Sequence, residues 1–393
     1  MARILLLSNG HGEDLSGSLL GQELRELGHD VHALPLAGLG RPYLQAELPL
    51  LGRSHEFSTG GIGYTSLKGR LTEVLQGQIF YLFRRLIRLL RHADRFDLIV
   101  VVGDVIPVIA AWLSQRSVAT YLVAYSSHYE GRLRLPWPCG TLLSSRRFQA
   151  VFSRDQLTAD DLSEQLQRPV VFLGNPFMDT VLQPAPPLPP AHSRIGLLPG
   201  SRRPELEHNL QLLLAVVERL TAAPDLTLDL ALVPSLSDAE LDAWAAHGGW
   251  RFKGGKLEHP TGLSVHVHRG AFQAVLQGSD LLICMAGTAT EQAVGLARPV
   301  LQVPGHGPQF TAAFAEAQRR LLGPTVFCAD GDAGSDANLN GSAQLALQLL
   351  ERSQTDRALT KQCRMEAQRR LGSSGGGRRM ADVISAIAHR SEQ

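Results

Sequence analysis

Two glycine-containing turns in the second half of the chain have the residue types that bind phosphate. Residues 197–202 read Leu-Leu-Pro-Gly-Ser-Arg, and residues 285–292 read Met-Ala-Gly-Thr-Ala-Thr-Glu-Gln. Each run follows an apolar stretch typical of a buried strand and precedes a helical pattern, so its backbone N–H groups would point at an anion. Arg202 could add a forked, charge-assisted contact. Because the pattern occurs twice, it predicts one diphosphate held between two helix N-termini.

The alternative for each turn is an ordinary strand-to-helix loop. In that case Arg202 is a solvated side chain and Thr288 is only the N-cap of its helix. In the functional interpretation, Gly287 lets a ligand approach closely, and either Glu291 or Gln292, one turn into the helix, reaches a ribose hydroxyl. The candidate donor-binding residues are Gly200, Ser201, Arg202, Gly287, Thr288, Ala289, Thr290, Glu291 and Gln292.

A carboxylate in the first half stands where a general base is expected. Asp104 follows Val102 and Gly103 at the end of an entirely apolar strand, and strand ends in α/β sheets open toward ligand sites. There Asp104 could accept a proton from an attacking hydroxyl. The structural alternative is that its side chain caps a helix beginning near Pro107. Position alone does not separate the two roles.

A glycine-rich run, residues 10–17, follows the first apolar strand and precedes a helix expected from about Leu15 to Leu27. It lacks the GxGxxG spacing with an acidic residue after the second strand, so a dinucleotide site is disfavoured. We interpret the run as an acceptor-side loop. The alternative, equally open for Asp14 and Ser16, is turn and N-cap chemistry. The acceptor-side candidates in this run are Gly12, Glu13, Asp14, Ser16 and Gly17.

These motifs are positioned by a strand–turn–helix pattern that occurs in both halves. Apolar runs at residues 4–7, 97–102, 194–198 and 280–284 predict buried parallel strands. Residues 183–190 contain five prolines and predict a stiff linker. The pattern predicts two α/β, Rossmann-like domains with parallel sheets facing an interdomain cleft. The expected regions are an acceptor-side domain at 1–182, a linker at 183–192, a nucleotide-sugar-binding domain at 193–370, and a glycine-rich break with a C-terminal helix at 371–393.

Composition narrows the function classes. The chain has 393 residues, 44% of them hydrophobic, and a formal net charge of +1, which is globular and gives no global attraction to nucleic acid. Its four cysteines are far apart, as in a reducing cytosol. It has no HExxH motif or His/Cys cluster, so we expect no metal. The N-terminal apolar run is too short for a signal peptide, and no stretch is long enough to span a bilayer. We therefore expect a cytoplasmic protein.

A basic amphipathic helix is predicted over residues 78–95. Its apolar positions are Phe80, Leu82, Phe83, Leu86, Ile87, Leu89 and Leu90, and its basic positions are Arg84, Arg85, Arg88 and Arg91. Such a helix could rest on an anionic membrane surface, which would place the protein peripherally on the inner face of the membrane. The alternative is that the apolar side chains pack on the sheet and the arginines face water.

Taken together, the motifs resemble those of the lipid-A-disaccharide synthase family from about residue 4 to residue 325. The resemblance is carried by Gly-Glu-Asp-Leu-Ser-Gly at 12–17, Val-Gly-Asp at 102–104, Leu-Gly-Asn-Pro-Phe-Met-Asp at 173–179, Leu-Leu-Pro-Gly-Ser-Arg at 197–202 with Glu205 after it, and Ala-Gly-Thr-Ala-Thr at 286–290. It implies a GT-B-type fold. It also implies inverting transfer of an acylated glucosamine from UDP to a lipid-linked acceptor, with neither a metal nor a cofactor.

The resemblance also implies residue roles. Asp104 would activate the acceptor, Arg202 would hold the UDP diphosphate, Gly287 and Thr288 would face it, and Asn175 would lie on the acceptor side. Three departures point to a divergent relative. Residues 124–129 lack the family's tryptophans, the Gly-Glu-Asp-Leu-Ser-Gly turn is one residue longer, and Gln292 stands where the family has Glu, with Glu291 one position early. The expected partners are thus a nucleotide-sugar donor and a lipid or sugar acceptor.

Two other functions stay open at the level of sequence. A UDP-GlcNAc 2-epimerase would use the same fold and bind UDP similarly, but it would need no acceptor. A non-catalytic relative that binds nucleotide sugar or lipid is permitted by the altered segment at 124–129, although Asp104 and Arg202 are both present.

Overall fold

The computed structural model describes residues 1–52, 78–129, 131–203, 205–220, 225–305 and 312–391. The chain divides into two compact units: Met1–Asp179 together with Gly372–Gln393, and Thr180–Leu371. The C-terminal segment, which the sequence pattern set apart as a region of its own, is thus part of the first unit. Residues 184–191, in the proline-rich segment, carry neither helix nor strand, because proline cannot donate to either hydrogen-bond pattern.

The first unit is built on a five-stranded sheet in the order β2-β1-β3-β4-β5, with all neighbours parallel. The strands are β1 (Arg3–Ser8), β2 (Asp30–Pro35), β3 (Leu98–Val102), β4 (Ser117–Leu122) and β5 (Phe148–Ser153). Ile99 and Val101 join one hydrophobic cluster, while Leu98 and Val100 join another. Alternate side chains of β3 therefore pack on opposite faces of the sheet, which explains why β3 is apolar throughout.

Among the described residues of this unit, seven helices follow these strands or connect them. They are α1 (His11–Glu26), α2 (Arg41–Gln45), α3 (Gln78–His92), α4 (Val105–Leu113), α5 (Cys139–Leu143), α6 (Gln156–Leu166) and α7 (Pro176–Leu182), with a 3₁₀ turn at Ala93–Arg95. The boundary between the two units falls within α7.

The start of α1 corrects the sequence prediction. The helix begins at His11 and not near Leu15, so residues 12–17 form its first turns and are not a loop. A β-carbon on Gly17 would lie 2.1 Å from the Tyr43 hydroxyl oxygen. Position 17 has no room for a larger side chain because Tyr43 packs against the helix backbone there. This tertiary contact outweighs the low helix propensity of glycine.

The second unit contains an eight-stranded sheet in the order β13-β12-β11-β6-β7-β10-β9-β8. Its strands are β6 (Ser193–Leu198), β7 (Leu226–Leu232), β8 (Arg251–Lys253), β9 (Lys256–Glu258), β10 (Ser264–Arg269), β11 (Leu281–Cys284), β12 (Val300–Gln302) and β13 (Val326–Phe327). Most neighbouring strands pair parallel, as predicted, and one edge adds an antiparallel extension in which β9 pairs with β8 and with β10. Gly254 and Gly255 both have positive φ there, as a two-residue hairpin turn requires.

The helices of this unit follow the strands in the alternation expected from the sequence. They are α8 (Glu205–Glu218), α9 (Asp238–Ala245), α10 (Phe272–Gly278), α11 (Gly287–Gly295), α12 (Ala312–Leu322), α13 (Asp336–Thr355) and α14 (Arg357–Arg370), with a 3₁₀ turn at Ala246–Gly248. The core joins the inward side chains of β6, β7 and β11 to those of α8 and α13.

The last helix, α15 (Gly376–Ser391), packs against α1 in the first unit. The Asp179 carboxylate accepts hydrogen bonds from the backbone N–H groups of Gly375, Gly376 and Gly377, at 2.6, 3.2 and 2.9 Å. A carboxylate at this position satisfies free donors of the helix start and favours its dipole. A β-carbon on Gly376 would lie 2.6 Å from the carbonyl carbon of Gly174. The glycines predicted as a flexible break are therefore a close packing contact and a helix start.

Candidate functional site

The structure brings the two glycine turns of the second unit side by side. Strands β6 and β11 are parallel neighbours, with Leu198 opposite Cys284, and the Met285 N–H donates to the Leu198 carbonyl at 3.0 Å. A β-carbon on Gly200 would lie 3.4 Å from the Ala286 β-carbon. The turns that precede α8 and α11 thus touch, as one anion held by both would require.

The N-terminus of α11 differs in detail from the prediction. Its N-cap is Ala286, which makes no side-chain cap hydrogen bond, so the interpretation of Thr288 as the N-cap is wrong. Thr288 is exposed in the first turn, while Ala289 and Thr290 are buried, and the Thr290 hydroxyl donates to the Ala286 carbonyl at 2.8 Å. The N-cap residue therefore has no capping side chain that an anion would have to displace from the start of α11.

The two candidates for ribose recognition lie one residue apart on α11. Glu291 is half-buried, whereas Gln292 is buried with 7% of its surface exposed. The exposure pattern follows from helical geometry, because consecutive residues point about 100° apart.

In the first turn, Arg202 and its neighbour Arg203 have different environments. Gly200 has a φ of 99°, a backbone conformation that favours glycine, and Ser201 and Arg202 after it are exposed. The Arg202 carbonyl accepts the Leu206 N–H at 2.8 Å, so Arg202 stands at the beginning of α8. Arg203 is held by Glu240 at 2.8 Å.

In the first unit, Asp104 lies at the carboxyl edge of the sheet. It is the N-cap of α4, and its Oδ1 accepts the Ile106 N–H at 2.9 Å. The helix begins at Val105 and not near Pro107. The side-chain amide of Asn9 donates to Oδ2 at 3.1 Å. Burial raises the pKa of Asp104, and the hydrogen bonds from Ile106 and Asn9 act against that rise. Capping is thus present, and it leaves Oδ2 able to accept a proton.

Sequence reasoning missed Asn9. It follows β1 directly, and the pairing of Ser8 with Val102 places the residues after β1 beside those after β3. A polar residue immediately after an apolar strand, next to the strand that leads to Asp104, is the sequence signal that could have identified it.

Glu13 and Asp14 occupy different places although they are adjacent. A β-carbon on Gly103 would lie 3.5 Å from the Glu13 Cγ, so Glu13 is next to the turn that carries Asp104. Asp14 is buried, and its Oδ1 accepts the Ser8 hydroxyl at 2.6 Å. Burial raises the pKa of Asp14 to about 7, although the Ser8 hydrogen bond lowers it. Gly12 is exposed, and Ser16 and Gly17 are buried.

Asn175 lies in the interior of the first unit, where the acceptor-side prediction did not place it. It is fully buried, its side-chain amide donates to the Arg154 carbonyl at 3.0 Å, and its Oδ1 accepts the Tyr121 hydroxyl. Asn175 thus links Arg154, directly after β5, to the buried Tyr121 of β4, and this contact is structural.

Residues 124–129 form a buried polar network with the residues around them. Ser126 donates to Asp155 at 2.6 Å, Ser127 donates to Asp161 at 2.7 Å, and His128 lies 3.7 Å from Asp155. The Tyr125 hydroxyl accepts the Val105 N–H at 3.0 Å. Hydrogen bonds to α6 and to the start of α4 therefore hold this segment near Asp104.

Helix α3 matches neither sequence interpretation completely. Phe80 and Phe83 are 61% and 58% exposed, and Leu90 is also exposed, so these three residues do not pack on the sheet. Arg85 is buried and donates twice to the Pro35 carbonyl, at 3.0 and 2.6 Å, so it is not on the basic surface. Arg84, Arg88, Arg91 and His92 line one cavity with Ile87.

No described helix combines the length and apolar character that a membrane span requires. Among the same residues, no three His, Cys, Asp or Glu side chains are grouped as a metal site would need.

Sequence comparison gives a partial relationship to one family. No family model matches the chain. The lipid-A-disaccharide synthase of Anaeromyxobacter dehalogenans (strain 2CP-C) is 31% identical to it over 140 residues. That match covers 34% of this chain and 33% of the relative, so the chain spans about a third of the length of the curated protein it matches.

Two solved structures have similar folds along nearly the whole chain. The calicheamicin glycosyltransferase CalG4 gives a TM-score of 0.66 at 20% identity and covers 99% of each chain. The UDP-GlcNAc 2-epimerase from Neisseria meningitidis, bound to UDP-GlcNAc, gives a TM-score of 0.55 at 14% identity, covering 99% of this chain and 100% of the other. They confirm the GT-B-type α/β fold predicted from the sequence.

The raised pKa of Asp14 makes stability depend on pH. An ordinary Asp ionises near pH 3.8, whereas folded Asp14 keeps its proton up to about pH 7. The unfolded chain therefore loses this proton first as the pH rises, and the free energy of unfolding falls between about pH 4 and pH 7, by roughly 4 kcal/mol at most. We expect Asp14→Asn to melt at a higher temperature than the native protein at pH 8, with a smaller difference at pH 5.

Thermal melting by circular dichroism at both pH values measures this effect. Asp332→Asn, at an exposed site of the second unit, is the control and should show no such pH-dependent gain. An equal difference between Asp14→Asn and the native protein at pH 5 and pH 8 would contradict the prediction.

Proposed function

We propose that this protein is an inverting, UDP-sugar-dependent glycosyltransferase of the lipid-A-disaccharide synthase type. It would move a glucosamine-like sugar, acylated or not, from UDP to a lipid-linked or sugar acceptor. The observation that carries the proposal is the contact between the turns of Gly200 and Ala286, which puts the starts of α8 and α11 together. The partial similarity to a lipid-A-disaccharide synthase supports the same reaction class.

The second unit would bind the donor. Backbone N–H groups at the starts of α8 and α11 would bind the diphosphate, aided by the positive ends of the two helix dipoles. Arg202 would place a guanidinium on the same group. These contacts grow stronger as negative charge develops on the leaving UDP, and they therefore stabilise the transition state. Arg202 and the helix ends would take the cationic role, so the proposed reaction would need no metal or cofactor.

The first unit would activate the acceptor. Asp104 would accept the proton of the acceptor hydroxyl as its oxygen bonds to the anomeric carbon and the bond from that carbon to the diphosphate oxygen breaks. The products are a new glycoside, protonated Asp104 and UDP. The upward shift in the Asp104 pKa supports this role, because a carboxylate whose charge is destabilised by burial is a stronger base.

An epimerase is the second candidate, and a specific observation favours it. The Neisseria meningitidis UDP-GlcNAc 2-epimerase shares the fold over nearly the whole chain. An epimerase would convert UDP-GlcNAc in the absence of an acceptor, and a glycosyltransferase would not. The two candidates therefore differ in product and in their need for an acceptor.

Binding of UDP tests the donor site. We expect Arg202→Ala to weaken UDP binding at least tenfold, because a hydrogen bond from a charged group contributes about 1.5–3 kcal/mol. Arg203→Ala is the matched control: it removes the adjacent arginine, whose partner is Glu240, and should leave the affinity unchanged. Isothermal titration calorimetry measures both variants. Equal UDP affinity in Arg202→Ala and the native protein would remove Arg202 from the donor site.

Product analysis tests the reaction itself. The protein would be incubated with UDP-GlcNAc, alone and with a panel of alkyl glycosides and lipid-linked sugars, and the products identified by mass spectrometry and NMR. We expect UDP release coupled to a new glycoside only when an acceptor is present, and at least a hundredfold lower turnover in Asp104→Asn, since general bases contribute about 10²–10⁴-fold. Formation of an epimerised UDP-sugar without acceptor would establish the epimerase instead.

We also propose that α3 docks on the inner face of a membrane. Its outward residues combine exposed aromatic and aliphatic side chains, Phe80, Phe83 and Leu90, with Arg84 and Arg91. An interfacial helix uses this combination, with apolar groups entering the headgroup region and arginines binding anionic lipid. Such docking would bring the protein to lipid-linked substrates without a spanning segment.

Vesicle co-sedimentation tests this docking. We expect the double variant Arg84→Gln, Arg91→Gln to lose most binding to phosphatidylglycerol vesicles, because each nearby arginine contributes about 1 kcal/mol. Arg85 is left intact because it is buried and bonded to Pro35. The control replaces two exposed arginines of α14, Arg357 and Arg364, with Gln and should bind normally. A native protein that ignores these vesicles even at low salt would refute the membrane role.

A further inference from the structure

We propose that Asn9 is a positioning and acceptor-recognition residue for the transfer reaction. Its side-chain N–H holds the Asp104 carboxylate, and its carbonyl oxygen accepts a hydrogen bond from a second donor group on the acceptor, close to the reacting hydroxyl. This role rests on the proposed function and makes it more specific: the acceptor is a sugar or another polyol, and a monohydroxylic lipid is excluded.

Burial and register hold Asn9 against Asp104. Asn9 is 2% exposed and Asp104 is 6% exposed. The pairing of Ser8 with Val102 makes the two segments leave the sheet side by side. The Asn9 Nδ2 atom donates to the Asp104 Oδ2 atom at 3.1 Å. Oδ1 of the same carboxylate is occupied by the Ile106 N–H, so Asn9 contacts the oxygen that the capping bond leaves for the reaction.

The other end of the Asn9 amide supplies the independent observation. Its Oδ1 atom is buried and has no hydrogen-bond partner in the part of the chain that the structure describes. Turning the amide over would not help, because Oδ1 would then face the acceptor-only carboxylate of Asp104. Buried polar atoms without partners are rare and call for an explanation. A donor group on the acceptor, seated beside Asp104, would supply the missing partner.

The surroundings of Asp104 indicate what kind of group this is. Glu13 from α1 lies against the Gly103 turn. The Tyr125 hydroxyl accepts the N–H of Val105, the residue after Asp104. Burial raises the pKa of the Cys139 thiol, and the Asp104 charge raises it further. These groups are neutral or negative, so they favour a neutral acceptor with several O–H or N–H donors. A single hydroxyl could satisfy Asp104 or Asn9, whereas a polyol satisfies both.

The first experiment measures the Asp104 carboxyl titration directly and needs no substrate. In protein labelled with ¹³C at Asp, the Asp104 signal is assigned by its loss in Asp104→Asn and followed with pH by NMR. Asn9→Ala should shift this titration to higher pH, because the carboxylate loses a stabilising N–H donor. Asn9→Asp keeps the shape of the side chain and should shift it further, through repulsion of like charges. An unchanged titration in both variants would overturn the positioning role.

The second experiment measures acceptor choice, with UDP-GlcNAc as donor and n-octyl β-D-glucoside or 1-octanol as acceptor. We expect transfer to the glucoside but not to octanol. For the glucoside, Asn9→Ala should lower kcat/KM by roughly 10- to 100-fold. It should also shift the acidic limb of the pH profile of kcat/KM to higher pH. Asn9→Asp should also shift this limb to higher pH. Because it retains a hydrogen-bond acceptor oxygen, it should raise the KM for the glucoside less than Asn9→Ala does. Transfer to octanol at a similar rate, or to neither compound, would overturn the recognition role.

The two levels of the proposal fail in different ways. If Asp104→Asn remains active, the proposed general base is wrong, and the role of Asn9 falls with it. If Asp104→Asn is inactive while Asn9→Ala keeps the native pH profile and acceptor preference, only the role of Asn9 is wrong and the proposed function stands.

Discussion

The parallel pairing of neighbouring strands is the constraint on which both candidate sites depend. In the second unit, the pairing of Leu198 with Cys284 makes the turns before α8 and α11 begin side by side. In the first unit, the pairing of Ser8 with Val102 does the same for Asn9 and Asp104. A register shift of one residue would turn every side chain to the opposite face. The chemistry of each site is therefore set by register as much as by residue type.

The two buried carboxylates near the end of β1 show how their partners divide their roles. Asp104 has two N–H donors, from Ile106 and Asn9, and such bonds favour the charged form that a base needs. Asp14 accepts the Ser8 hydroxyl, which itself accepts the Tyr43 hydroxyl at 2.9 Å. Burial and the nearby Glu13 charge outweigh the Ser8 hydrogen bond and the Arg85 charge, so the pKa of Asp14 rises to about 7. The Asp104 carboxylate thus has the donors that its proposed role as a base requires, whereas Asp14 makes a structural contact.

Helix α3 shows why a strongly amphipathic pattern does not by itself reveal which face is buried. Its pattern allowed two interpretations: apolar side chains that pack on the sheet with the arginines in water, or a surface that rests on a membrane. Arg85 nevertheless points inward, because the Pro35 carbonyl at the end of β2 offers it a partner, and Phe80 and Phe83 point outward. A buried guanidinium is tolerated when its donors are satisfied, and exposed aromatic side chains beside arginines suit an interfacial surface.

Much of the fold was determined by the sequence alone. Continuous apolar runs predicted β1, β3, β6 and β11, because strands covered on both faces need apolar side chains at every position. The turns at Gly200 and Gly287 were recognised because glycine and other small residues directly follow the apolar runs of β6 and β11. The contact between the turns requires β6 and β11 to be parallel neighbours. The sequence predicted parallel strands, but only the structure shows that these two strands are adjacent.

The tertiary structure alone decided the details that give these residues their roles. Gly17 stays helical because Tyr43 packs against it, and Gly376 begins a helix because Asp179 receives its N–H. Asn175 turned inward to Tyr121 and Arg154. Each of these contacts joins residues far apart in the chain, and local propensity carries no information about a distant partner. For the same reason Asn9 became visible only when β1 and β3 had placed it beside Asp104.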